Sequence, residues 1–112
     1  VKRSNVHLVG YKAFKKGRIV MLFGSVLKDY SKARDIDIMV VVENKDYKEV
    51  VKIIKEKQEL LPKRIHSIEI TVSDLIRNIK NRKESIIDIV KNAVILYGQD
   101  EYVEIIKNVT SS

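Results

Sequence analysis

The sequence predicts an α/β protein with a small mixed β-sheet of three or four strands flanked by helices, in a single domain over residues 1–112. Two observations predict this fold. Short runs rich in β-branched residues at 18–23, 35–43 and 64–72 are typical of strands. The segments around them repeat apolar residues every three to four positions, as amphipathic helices do. A chain of 112 residues can bury one hydrophobic core but is too short for two ordinary domains.

The first part of the chain is predicted to run helix, strand, turn, strand. A helix near residues 6–14 follows from apolar residues that share one helical face. Residues 18–23 then form a buried strand, and the small residues Gly24 and Ser25 end it in a turn. A short helix or loop leads into the second buried strand, residues 35–43.

The middle of the chain is predicted to add one helix, one strand and a second, shorter helix. Residues 47–61 carry apolar positions on one helical face, and Pro62 terminates that helix. Residues 64–72 form the third strand. Ser73 is then the predicted cap of a short helix that runs through Ile79.

The last part of the chain is predicted to be helical. The clearest helical spacing runs over residues 86–97 and ends at Gly98, where a left-handed cap is expected. Asp100 then caps a final helix. The apolar side of this final helix is predicted to consist of Val103, Ile106 and Val109.

The composition excludes several classes of protein. No apolar run is longer than five residues, so no segment can cross a bilayer and no signal peptide is visible; we therefore expect a cytoplasmic location. With no cysteine there are no disulfides or thiolate metal sites, and two histidines, His7 and His66, are a poor basis for a zinc site. Any metal is expected to have oxygen ligands.

The net charge of +7 allows two interpretations. It favours polyanionic partners such as nucleotides, nucleic acid or an acidic protein. A Lys-, Glu- and Ile-rich chain is equally typical of a heat-adapted protein whose surface charges bind nothing. Nucleic-acid binding is the weakest hypothesis, because the charge comes with no recognised binding motif and only seven aromatic residues for stacking.

Asp35 and Asp37 interrupt the apolar run of the second strand. Because side chains in a strand alternate between faces, the two aspartates point the same way, opposite to Ile36 and Ile38. Two carboxylates about 6 to 7 Å apart repel each other, and partial burial adds a desolvation cost. A divalent cation offsets both effects, and Mg²⁺ binds one or two carboxylates together with waters and substrate phosphates. The sequence therefore predicts that Asp35 and Asp37 bind metal.

Two further features extend this prediction to phosphate chemistry. Gly24 and Ser25 lie between a strand and a short helix, where a tight turn and free N–H groups can bind an anion. Glu69 is a charge flanked by isoleucines on the third strand, and it supplies a third carboxylate if that strand pairs with the second. The alternative for Glu69 is an exposed residue paired with a lysine.

These features together resemble the DNA polymerase beta-like nucleotidyltransferases, and among them the minimal nucleotidyltransferases of archaea and bacteria. The resemblance rests on a helix, a strand ending in Gly24-Ser25, nine further residues, Asp-Ile-Asp-Ile at 35–38, and an acidic residue on a third strand. It covers roughly residues 6 to 72. Many members carry Arg-x-x-Gly after the Gly-Ser, where this chain has Val-Leu-Lys-Asp.

The resemblance implies a nucleotidyltransferase fold and a function. It implies a transferase that moves a nucleoside monophosphate from a nucleoside triphosphate to a hydroxyl. The triphosphate is expected to be ATP, and the enzyme is expected to use two Mg²⁺ ions. Asp35, Asp37 and Glu69 are then the catalytic metal ligands, and Gly24 and Ser25 hold the triphosphate. The cations that stand in for the family's arginine are Lys28 and Arg34.

The resemblance also implies a partner. Minimal nucleotidyltransferases are often encoded with a small helical protein of the HEPN class, so the acceptor is expected to be a tyrosine of that toxin, with this chain as antitoxin. A small-molecule acceptor, as in antibiotic-modifying relatives, is the other option. The alternative function is a catalytically weak or inactive module of the same fold that neutralises a partner by covering it.

Overall fold

The structure, a computed structural model, describes residues 19–111, and the side chains of 19–110. This part of the chain contains four strands and four α-helices. The strands are β1 (Ile19–Phe23), β2 (Asp35–Val41), β3 (Arg64–Ile70) and β4 (Val94–Tyr97), and the helices are α1 (Tyr47–Gln58), α2 (Val72–Lys80), α3 (Glu84–Asn92) and α4 (Gln99–Ser111). The helix predicted near residues 6–14 lies outside the described residues.

The four strands form one mixed sheet with the order β3-β2-β1-β4. β1 is antiparallel to β2 and to β4, whereas β2 and β3 are parallel. Helix α1 connects the two parallel strands, as a parallel pair requires. The observed sheet confirms the predicted α/β class and the mixed arrangement. Within residues 19–111, no helix has the length and apolar character needed to cross a membrane.

Both faces of the sheet are covered by helices. On one face, here called the α1 face, alternate residues of β1 and β2 pack against α1. On the other, here called the three-helix face, the intervening residues pack against α2, α3 and α4. The α1 face includes Val20, Leu22, Ile36, Ile38, Val40, Val50 and Ile54, and the three-helix face includes Ile19, Met21, Met39, Val41, Leu75, Ile86, Ile89 and Ile105.

The three predicted strands are confirmed, with small differences at their ends. β2 ends at Val41 and β3 ends at Ile70, each two residues earlier than predicted. Helix α1 starts at Tyr47 as predicted but ends at Gln58. Pro62 therefore lies in the connection to β3 and does not itself terminate the helix.

Helix α2 begins earlier than the sequence indicated. Its cap is Thr71 rather than the predicted Ser73, because Thr71 Oγ1 accepts a hydrogen bond of 3.2 Å from the N–H of Asp74. Thr71 has an extended backbone, as a residue preceding a helix requires. Val72 thus belongs to the helix and not to the preceding strand.

The largest difference from the sequence prediction is β4. The apolar spacing over residues 86–97 predicts one helix, but α3 ends at Asn92, Ala93 is extended with ψ 150°, and residues 94–97 form a strand. This strand gives hydrogen-bond partners to the second edge of β1. The hydrogen bonds gained by pairing with a strand far away in the sequence override the local helical spacing. Gly98 has the predicted positive φ, 82°, but it follows a strand.

The inner face of α4 also differs from the prediction. The helix begins at Gln99, so Asp100 lies in its first turn instead of capping it. Tyr102, Ile105 and Val109 contact the core. Val103, predicted for this face, is 47% exposed.

Tyr102 links α4 to α3 and makes the stability of the fold pH-dependent. Its hydroxyl donates a 2.9 Å hydrogen bond to the carbonyl of Val90. Burial raises the pKa of Tyr102, so its stabilising contribution is complete below the unfolded value near 10 and is lost as pH rises through the folded pKa. We expect Tyr102→Phe to lower the free energy of unfolding by about 1 kcal/mol at pH 7.

Urea unfolding of the wild type and of Tyr102→Phe between pH 7 and pH 11 checks this prediction. The difference in unfolding free energy should shrink above pH 10, because the phenol ionises there in the unfolded wild type, whereas its raised pKa keeps it protonated in the folded protein. A difference that stays constant up to pH 11 would contradict the assignment.

Candidate active site

Asp35 and Asp37 lie at the start of β2, ahead of the buried residues that β2 contributes to the three-helix face. Alternation places them on that face together with Met39, which is fully buried. Asp35 is half-buried, and the side chain of Asp37 is 22% exposed. The structure thus confirms that both carboxylates share one side of the sheet, and it leaves them accessible to solvent.

The neighbours of Asp37 come from both adjacent strands. Its registered partners are Phe23 at the end of β1 and His66 on β3. The His66 Nδ1 atom lies 3.1 Å from Asp37 Oδ1, in an ion-pair and hydrogen-bond contact, and its side chain is 58% exposed. Sequence reasoning missed His66, because it considered this residue as one of two histidines too few for a zinc site. The register alone brings it to Asp37.

Gly24 connects β1 to the site and approaches Asp37 closely. Its backbone has φ 83° and ψ −163°, a region that is essentially restricted to glycine. A Cβ on Gly24 would overlap Asp37 Oδ2 and lie 3.1 Å from its Cγ. Glycine is therefore required here both by the backbone conformation and by the space that the carboxylate occupies.

The predicted phosphate turn follows directly. Ser25–Leu27 form a single 3-10 turn whose first backbone bond runs from the N–H of Leu27 to the carbonyl of Gly24, at 3.1 Å. The N–H groups of Ser25 and Val26 precede that bond, so the turn itself gives them no acceptor. The turn thus has the backbone form that an anion site needs, next to Asp37.

The rest of the loop between β1 and β2 is held against the fold. Lys63, just before β3, donates a 2.6 Å hydrogen bond from Nζ to the carbonyl of Ala33. The same Nζ lies 4.8 Å from the ring centroid of Tyr30, within cation–π range. Because Ala33 is also buried, the loop enters β2 from a fixed point.

The two cations that the sequence predicts to bind phosphate, Lys28 and Arg34, lie on this loop. Lys28 and Arg34 are both exposed, and neither makes an ion pair with another described residue. Arg64 is a cation that sequence reasoning missed: it is the registered partner of Asp35 and lies on the same face. Of these three cations, Arg64 is the one that the strand register places beside an aspartate.

The structure does not bring Glu69 to the aspartates. Its registered partner on β2 is Val40, which belongs to the α1 face, whereas Asp37 lies on the three-helix face. Glu69 is half-buried, and its Oε2 has no hydrogen-bond partner among the described residues. The prediction that Glu69 joins Asp35 and Asp37 as a third carboxylate is therefore wrong in this register. The polar group opposite Asp37 is His66.

The donor set determines which metal site the chain can offer. Among residues 19–111, no group of three or more His, Cys, Asp or Glu side chains is spaced to hold a metal ion. Two carboxylates fit one Mg²⁺, which takes its other ligands from waters and substrate phosphates. The predicted second ion requires a third carboxylate, and residues 19–111 bring none to the two aspartates.

Comparison with known proteins agrees with this geometry. The family model described as "Polymerase beta, Nucleotidyltransferase" matches residues 11–102, which is more than four fifths of the chain. The match spans β1, the Gly24 turn, both aspartates and β3. No curated protein and no solved structure matches the chain significantly.

Proposed function

Because this chain belongs to the polymerase beta nucleotidyltransferase family, we propose that it transfers a nucleoside monophosphate from a nucleoside triphosphate, ATP in the first instance, to a hydroxyl group with the help of Mg²⁺. The observation that carries the proposal is the cluster at the start of β2. Asp35 and Asp37 share one face there, and Asp37 lies against the Gly24 turn. Carboxylates beside a turn that offers N–H groups suit a metal-bound polyphosphate.

Each residue has a distinct role in this proposal. Asp35 and Asp37 hold Mg²⁺, which neutralises phosphate charge and makes the α-phosphorus more electrophilic when it is bound. The N–H groups of the turn and Ser25 orient the phosphates. Lys28 and Arg34 offset the remaining negative charge as exposed cations.

The reaction is a substitution at the α-phosphorus. The acceptor oxygen forms a bond to this phosphorus, and the bond from the phosphorus to the bridging oxygen of the β-phosphate breaks. Pyrophosphate leaves with the electron pair of that bond, and the acceptor proton passes to solvent. The protein's contribution is to position the phosphates and the acceptor in line.

The proposed acceptor is a tyrosine of a small helical partner of the HEPN class, whose toxicity the modification would suppress. The family likeness supports this choice. Exposed apolar side chains on β4 and α4 also support a partner surface, since they lie together in the chain and outside the core. They are Val94, Tyr97 and Val103, each between 40% and 48% exposed.

The second candidate function is a binding module with little or no turnover. One observation favours it: Glu69 lies on the α1 face, so the described part of the chain brings no third carboxylate to Asp35 and Asp37 to activate an acceptor. Such a module would still bind nucleotide and metal through Asp35 and Asp37.

Calorimetry with ATP and Mg²⁺, followed by incubation with [α-³²P]ATP, tests the first proposal and separates it from the second. We expect Mg²⁺-dependent binding of ATP and transfer of label to a protein tyrosine when the partner is added. Binding without transfer to protein or small-molecule hydroxyls would support the module. Absence of Mg²⁺-dependent binding would contradict both.

A further inference from the structure

His66 is the polar side chain that the sheet places directly beside Asp37. It is opposite Asp37 in the parallel β2–β3 register, on the same face, and its Nδ1 atom is 3.1 Å from Asp37 Oδ1. The carboxylate expected at this place, Glu69, lies on the other face of the sheet. The side chain in contact with Asp37 is thus a nitrogen donor instead of a carboxylate.

We infer that His66 is a metal ligand and that Asp37 and His66 together bind a divalent transition ion that accepts nitrogen, with Mn²⁺ as its representative, in preference to Mg²⁺. This inference rests on the proposed function, because the nucleotide phosphates complete the ligand set. It assigns to the chain an ion preference that three carboxylates would not produce.

The spacing of the two donor atoms supports a shared ion. Ligands of an octahedral ion lie about 2.0 to 2.2 Å from the metal, so two adjacent ligands at a right angle are about 3.0 Å apart. The Asp37 oxygen and the His66 nitrogen are 3.1 Å apart. Little movement of either side chain is therefore needed to place one ion between them.

The exposure and the charge of the pair agree with this role. The His66 ring is 58% exposed and Asp37 is 22% exposed, so substrate phosphates and water can reach an ion held there. Neutral imidazole adds no negative charge to the two aspartates. The carboxylates of the site therefore supply about two negative charges rather than three, which suits one divalent ion with nucleotide better than two ions.

The chemistry of the donors decides the preferred ion. Mg²⁺ strongly favours oxygen ligands, whereas first-row transition ions bind imidazole nitrogen. Mn²⁺ is the best probe because it is also octahedral and also takes carboxylates, so a comparison with Mg²⁺ isolates the effect of the nitrogen. Carboxylate and histidine pairs hold manganese in other proteins.

The test measures ion affinity and the nitrogen contact separately. Wild type, His66→Asp and Glu69→Gln are titrated with Mn²⁺ and with Mg²⁺ in the presence of α,β-methylene-ATP, in which the bond that transfer breaks cannot be cleaved. Pulsed EPR of the Mn²⁺ complexes then reports whether a ¹⁴N nucleus is bound directly to the ion. Glu69→Gln is the matched control on the opposite face.

We expect wild type and Glu69→Gln to show the nitrogen coupling and to prefer Mn²⁺. His66→Asp should lose the coupling and lower the ratio of Mn²⁺ to Mg²⁺ affinity at least about tenfold, because it restores an oxygen donor.

The outcomes distinguish this inference from the function on which it rests. If nucleotide and ion bind to the wild type with no nitrogen coupling, His66 only positions Asp37 through a hydrogen bond, and the inference is overturned while the proposed function stands. If neither ion binds with the nucleotide, both fail. An equal ratio of affinities in wild type and His66→Asp also overturns the inference.

Discussion

Replacement of Asp37 by asparagine is expected to lower nucleotidyl transfer at least about 10³-fold, which is about 4 kcal/mol of transition-state stabilisation. Asp37 contacts the Gly24 turn on one side and His66 on the other, so its carboxylate is the centre of the site. The amide keeps the shape of the side chain but lacks the charge that holds a divalent ion. The rate of label transfer from [α-³²P]ATP measures the loss.

Glu69→Gln provides the control for Asp37→Asn, because it removes one carboxylate from the opposite face of the sheet. It should leave transfer within about twofold of the wild type, since Glu69 contacts no residue of the site in this register. Circular dichroism should show both variants folded, as Asp37 is partly exposed and an amide can keep its hydrogen bond. Loss of transfer in Glu69→Gln with Asp37→Asn unaffected would reverse the assignment of the site.

Substitution of Gly24 by alanine is expected to weaken Mg²⁺-dependent ATP binding strongly and to destabilise the fold. The backbone conformation at Gly24 costs about 1 to 3 kcal/mol for a residue with a side chain. The added Cβ would also meet the carboxylate of Asp37 and force one of them to move. Calorimetry should show ATP affinity at least about 100-fold weaker, and thermal unfolding should show a lower Tm.

Gly98→Ala separates the two effects of the Gly24 substitution. Gly98 also has a positive φ, 82°, but it lies between β4 and α4 and shares no contact with Asp37 in the register. The control should therefore lower Tm and leave ATP affinity unchanged. If Gly24→Ala binds ATP as tightly as Gly98→Ala, the close approach of Gly24 to Asp37 has no role in the site.

Local patterns in the sequence were sufficient to predict β1, β2, β3 and α1. β-Branched runs and helical spacing are local, and turn residues separate them clearly. They were not sufficient for residues 94–97, where the apolar spacing continues that of α3. What decides this segment is the open edge of β1, seventy residues earlier, whose backbone groups need partners. Helical periodicity carries no information about a distant edge.

Local sequence patterns also predict only part of the candidate site. The positions of Asp35, Asp37 and Gly24 follow from alternation within one strand and from one turn, so the sequence predicted them. Alternation on β3 puts Glu69 and His66 on opposite faces, but it cannot say which of these two faces also carries the aspartates. That choice depends on the register of β3 against β2, and a shift by one residue exchanges the two faces.

The connectivity of the sheet has a consequence for how the protein folds. β1, β2 and β3 are joined through segments close in the chain, whereas β4 must find β1 across about seventy residues. Closing short loops costs less conformational entropy than closing long ones, so near contacts tend to form first. A nascent chain can thus assemble the aspartates and their turn before β4 docks, and slow refolding phases should report on β4 and α4.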